Sequence, residues 1–139
     1  MKTVARAFLV AVLAAGPAMA QSLSIKPGMW ESTMTRTNPL TGSPETVTES
    51  ECITPDKATF DPREMMKGSS DCRIAEQDKT GNTLTFTMVC AMEEGEATAR
   101  GTMTADGDNG SGRMEMEMSF GGQTMKMDMD WKSRRVGDC

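Results

Sequence analysis

The chain contains no histidine. That removes the commonest general base, the Ser-His and Cys-His nucleophile pairs, and the usual imidazole ligand of zinc. Tyrosine is absent too, and two tryptophans and four phenylalanines supply every aromatic ring. A core of ordinary density must therefore find its bulk elsewhere. Basic residues are in deficit: 15 Lys and Arg stand against 20 Asp and Glu, a net charge of −5. A surface of that sign repels nucleic acid and anionic bilayers, so neither is an expected partner. Beyond residue 20, no apolar run approaches the roughly 20 residues that a membrane-crossing helix needs. The four cysteines include no Cys-x-x-Cys, which argues against a redox-active pair and, with no histidine, against a zinc site.

What is present begins with an export signal. Lys2 and Arg6 precede an apolar run from Ala7 to Ala15, and Ala18-Met19-Ala20 supplies small residues for cleavage. Residues 1–20 are read as a cleaved signal peptide and residues 21–139 as a single domain in a periplasmic, oxidising space. Residues 1–20 carry two bases and no acids, so without them the net charge moves from −5 to −7. An even set of cysteines in such a space reads as two disulfides among Cys52, Cys72, Cys90 and Cys139. The favoured pairs are Cys52 with Cys72, closing the one long non-strand segment, and Cys90 with Cys139, tying the last residue to the sheet.

The clearest structural signal runs from Gly112 to Trp131. Met114, Met116, Met118 and Phe120 alternate with charged or polar residues, then Gly121-Gly122 intervenes. Met125, Met127, Met129 and Trp131 resume the alternation. A period of two on each side of a Gly-Gly pair specifies a β-hairpin, with Met118 opposite Met125, Met116 opposite Met127 and Met114 opposite Met129. On the other face Glu117 meets Lys126 and Arg113 meets Asp130, whereas Glu115 meets Asp128 unfavourably.

Weaker alternation places further strands at Met29–Thr37, Glu45–Cys52 (a polar edge), Cys72–Lys79, Thr83–Cys90 and Ala97–Ala105. Thr54-Pro55-Asp56 opens a short helical insertion after the second of these. Ala91–Glu96 reads as an acidic loop and Asp106–Ser111 as a turn whose spacing fails the calcium-loop motif. The expected fold is all-β and mainly antiparallel: a meander of about seven strands forming a small barrel or strongly curved sheet, with a β-sandwich as the alternative.

Lys26-Pro27-Gly28-Met29-Trp30-Glu31, Cys52-Ile53-Thr54-Pro55, Asp71-Cys72, Gly81-Asn82-Thr83, Cys90 and Arg134-Arg135-Val136-Gly137-Asp138-Cys139 together resemble the bacterial exported family known as domain of unknown function 3617. The resemblance spans nearly the whole chain after residue 20. It implies a small exported β-domain with paired cysteines and Met- and Thr-rich strands, and it brings no activity, cofactor or catalytic residue.

Of the 15 methionines, 13 follow residue 20. Strand spacing puts those of the hairpin on one face, where flexible thioethers fill a core short of aromatics. The same residues, Met114, Met116, Met118, Met125, Met127 and Met129 with Trp131, are the candidates for a pliable apolar pocket or a soft Cu(I) site. Lys132, Arg134 and Arg135 read as a solvated strand end, the alternative being a grip for an anionic ligand beside Trp131. Asp56, Asp61 and Glu64 are the one place where carboxylates could pair. No catalytic set, cofactor or dedicated metal centre is expected. The expectation is a monomeric, non-enzymatic binding or interaction module whose partner is a small apolar ligand or a protein. The alternatives are a Cu(I)-handling protein and a structural or envelope-stress protein acting through protein contacts.

Overall fold

The computed structural model describes residues 21–69 and 71–139. The signal peptide assigned to residues 1–20 lies outside the described residues. The fold is all-β, with every strand pair antiparallel. In chain order the strands are β1 (Leu23–Ser24), β2 (Gly28–Thr37), β3 (Pro44–Ile53), β4 (Thr59–Phe60) and β5 (Cys72–Thr80). They continue with β6 (Thr83–Met92), β7 (Gly95–Asp106), β8 (Asn109–Phe120) and β9 (Gln123–Gly137). Seven of them form one sheet in the order β3-β2-β9-β8-β7-β6-β5, and β1 pairs with β4 in a separate two-stranded ribbon. The helical insertion consists of two 3-10 turns, Pro55–Lys57 and Pro62–Met66, on either side of β4.

The methionine hairpin has the register that its alternation dictates: Met118 faces Met125, Met116 faces Met127 and Met114 faces Met129. Its turn residues, Gly121 and Gly122, have φ of 55° and 77°. Two successive positive values match the twist of the flanking strands, and glycine takes them without steric penalty. The strands run longer than the alternation suggested. Ala91–Glu96 is not a loop: β6 and β7 continue to a two-residue turn at Glu93-Glu94. The basic segment after Trp131 is likewise strand, because β9 extends to Gly137 and pairs with β2 along that length.

The sheet does not close into a barrel. β3 and β5 are its two edges, and no ladder joins them among the described residues. The chain must pass from one edge to the other between Ile53 and Cys72, and this crossing, the 3-10 turns with β4, lies over one face of the sheet as a strap. Phe60 on the strap stacks at a tilt against Phe86 of β6, ring centroids 6.2 Å apart. Ala58 and Pro62 are buried beneath it, and Leu23 of the paired β1 joins them. Together with Trp30, Leu84, Phe86 and Ala99 they form the compact part of the core. Burying a side chain the size of Leu84 or Phe86 stabilises by about 1.5–3 kcal/mol, and the alanines contribute less.

The disulfides pair Cys52 with Cys139 and Cys72 with Cys90, not Cys52 with Cys72 and Cys90 with Cys139. Two features missing from a period-two reading explain the correction. At the β5 end, Cys72 and Cys90 sit directly opposite only because the register shifts between Ile74 and Glu76. Gln77 faces Phe86, so an uninterrupted alternation would put Cys72 on the far side of the sheet. The extra residue at the bulge returns Ile74 and Cys72 to the face of Met88 and Cys90. At the other end, the extension of β9 brings Gly137 opposite Met29, whose other neighbour is Cys52. The ends of β3 and β9 thus flank the start of β2, with Cα atoms of Cys52 and Cys139 5.6 Å apart.

Candidate functional site

The two faces of the sheet differ sharply in chemistry. One carries Leu84, Phe86, Met88 and Cys90 of β6, Ala97, Ala99 and Met103 of β7, and the hairpin methionines of β8 and β9. The strap covers the β5–β7 part of this face, where Leu84 and Phe86 are at most 3% exposed. Met114, Met116, Met118, Met125, Met127 and Met129 remain half-buried, as does Trp131. Further along the same face Met34 and Val47 of β2 and β3 are exposed, and they flank a cavity of about 240 Å³ with Ser32, Arg36 and Glu49. The six candidate methionines therefore stay together as three cross-strand pairs, but as a half-open surface and not the interior that the sequence suggested.

Aromatic rings on this face lie over glycines. A Cβ at Gly101 would meet the Phe86 ring at 2.3 Å, and one at Gly112 would meet the Trp131 ring at 2.1 Å. Each glycine is the directly opposed partner of its aromatic. The rings lie flat across the neighbouring strand and cover backbone that has no side chain of its own. This fixes Trp131 beside the methionine pairs, so it borders that surface.

Of the residues that carry the sequence resemblance, Lys26 to Trp30, Cys52 and Arg135 to Cys139 converge on a structural corner, whereas Cys72 and Cys90 are bridged at the far edge of the sheet. Gly28 packs so closely that a Cβ would come within 2.5 Å of both Arg135 Nε and the Gly137 carbonyl. Arg135 Nε donates to the Pro27 carbonyl at 2.8 Å, and its guanidinium also pairs with Asp138. The Trp30 indole N–H donates to the Lys26 carbonyl at 2.9 Å. With the Cys52–Cys139 bridge, these contacts lock the start of β2 to the end of β9. Arg135 is thereby committed to holding the fold, and the basic segment is divided: Lys132 and Arg134 point to the opposite face.

That opposite face is polar. Arg113 lies within 3.3 Å of Glu115, 3.9 Å of Asp128 and 4.0 Å of Asp130. The unfavourable Glu115–Asp128 opposition is thus bridged by a guanidinium one pair away. Lys126 meets Glu117 at 3.1 Å as the register requires. The carboxylates of the insertion do not pair with one another. Arg63 grips Asp61, which also accepts from the Arg63 backbone N–H at 3.0 Å, and Lys67 pairs with Glu64. The Arg63 hydrogen bonds hold the Asp61 carboxyl below its ordinary range, against a smaller desolvation effect. Hydrogen bonding from Thr54 does the same for Asp56. Among the described residues, no group of three or more Cys, Asp or Glu is arranged to hold a metal ion.

A concave region missed in the sequence lies on this polar face. Cavities of about 490 and 400 Å³ adjoin each other between β2 and β7, with β9 and β8 as their floor. The signal for it is the Thr-x-Thr spacing on β2 and β7, Thr33 with Thr35 and Thr102 with Thr104, which alternation assigns only to the wet side. A family model described as "Protein of unknown function (DUF3617)" matches residues 25–139. No curated protein and no solved structure matches the chain.

Proposed function

We propose that this chain, which belongs to the DUF3617 family, is a non-catalytic binding module of an exported, oxidising compartment, and that its working surface is the half-open methionine face. The observation that carries the reading is the arrangement of Met118 with Met125, Met116 with Met127 and Met114 with Met129 on a face that the strap leaves partly uncovered. Unbranched, polarizable side chains in that setting repack around apolar shapes at little cost. Two disulfides support the oxidising compartment. The absence of histidine from the sequence and the exposure of the strand carboxylates support a non-catalytic role.

Native mass spectrometry of the protein purified from a periplasm tests this. A small apolar species should co-purify and be lost from the Met116→Glu/Met127→Lys double variant, which keeps an opposed pair at those positions. A bare chain in both would overturn the proposal. A second reading rests on the same pairs: three opposed thioether pairs suit Cu(I), which soft ligands select. Changing all six methionines to leucine separates the two. Copper binding measured anaerobically would vanish, whereas an apolar ligand would stay.

A further inference from the structure

On the polar face we propose a second site, independent of the methionine surface, that binds a short saccharide carrying a carboxylate. Its centre is a row of residues running straight across six strands. Thr48 of β3 faces Thr33 of β2, which faces Lys132 of β9, then Ser111 of β8, Thr104 of β7 and Thr83 of β6. One lysine therefore stands in an unbroken line of hydroxyls. Thr33, Lys132, Ser111 and Thr104 are also the residues common to the two adjoining cavities. Both cavities open broadly to solvent, so the region is a shallow trough in the polar face. It spans three strand spacings from β2 to β7, about 14 Å, and four residues along the strands from Thr35 to Glu31, about 13 Å. A volume of about 490 Å³ falls within the range of small-molecule sites, about 300–1,000 Å³.

The ligand class follows from the chemistry of the floor and walls. Each hydroxyl donates once and accepts twice, so even where Thr33 bonds Thr48 at 3.2 Å and Thr83 bonds Thr104 at 3.1 Å, capacity remains for a polyol. Among the described residues Lys132 is in no ion pair, whereas the nearby carboxylates of Asp130 and Glu31 each lie within 4.0 Å of an arginine, Arg113 and Arg134. The central cation can therefore meet an anionic ligand without first giving up an ion pair. Asp106, at the far end of the trough, is placed to accept from sugar hydroxyls. Both tryptophans belong to the opposite face, so recognition rests on hydrogen bonds and charge and not on ring stacking.

The test is a titration of the isotope-labelled protein with trigalacturonate, with maltotriose and inorganic phosphate in parallel, followed by backbone amide shifts. Trigalacturonate should move amides around Thr33, Ser111, Lys132 and Thr104 and leave those of the methionine pairs in place. Lys132→Gln, an exposed position, should weaken it about tenfold or more, as loss of a charged hydrogen bond does. Thr33→Val/Thr104→Val should weaken both sugars. Maltotriose binding as tightly, and equally to Lys132→Gln, would overturn the carboxylate requirement. Phosphate producing the same shifts at the same concentration would overturn the saccharide. No shifts, or shifts confined to the methionine face, would overturn the site while leaving the apolar-binding proposal untouched.

Discussion

At Gly112 the side chain is absent because Trp131 occupies its place. Adding a methyl group there would force the indole off its neighbour's backbone, with the first contact at 2.1 Å. Gly112→Ala should cost about 1–3 kcal/mol by overpacking. Gly110→Ala, where the new atom finds nothing nearer than 3.7 Å, should be neutral or slightly stabilising through the unfolded chain. Denaturant unfolding of the two variants checks the contrast. Asp61 gives a residue-level prediction in pH. Its carboxyl is depressed chiefly by Arg63, so its contribution is fully present above the ordinary carboxylate range and is lost as pH falls through its folded value. Asp61→Asn should therefore lower the melting temperature most at pH 7, and by progressively less as pH falls below the ordinary carboxylate range. The opposition of Gly112 and Trp131 follows from the hairpin register that the alternation and the Gly-Gly turn dictate, but the lie of the indole across the glycine does not, because alternation assigns faces and not rotamers.

Among the elements, legibility followed periodicity. The β8–β9 hairpin could be read to the residue because strict alternation and a Gly-Gly turn each determine the same register. The β5–β6 hairpin could not, since one inserted residue near Ala75 exchanges the faces of everything before it and leaves no compositional trace. The cysteine pairing depends on that insertion and on the continuation of β9 past Trp131, and period-two alternation shows neither. The hairpin methionines share one face as their alternation requires, but they are half-buried, because of the two expected forms, a small barrel or a strongly curved sheet, the sheet is not closed and presents a face. The trough escaped notice because threonine alternation reports which side is wet and says nothing about curvature. The observed bridges differ in span, 87 residues for Cys52–Cys139 and 18 for Cys72–Cys90. Loop-entropy arithmetic assigns them about 4.5 and about 3 kcal/mol. Replacing Cys52 and Cys139 by serine should thus lower the unfolding midpoint more than replacing Cys72 and Cys90, in parallel denaturant titrations.

For the molecule as a whole, strand order differs from chain order in one decisive place. β9, which follows every other strand in the sequence, lies between β2 and β8. The β2–β3 hairpin has no other long strand to join, and the strap from Ile53 to Cys72 keeps it tethered to the far edge meanwhile. As the chain is synthesised, β5 to β8 can assemble as a meander of near neighbours, while the β2–β3 hairpin waits as an undocked arm. Docking that arm requires contacts between residues about a hundred positions apart, the kind of pairing that slows folding. The strand that completes the sheet is therefore also the one that arrives latest, and for that interval both flanks of the future β9 groove are bare strand edges able to capture a strand from another chain.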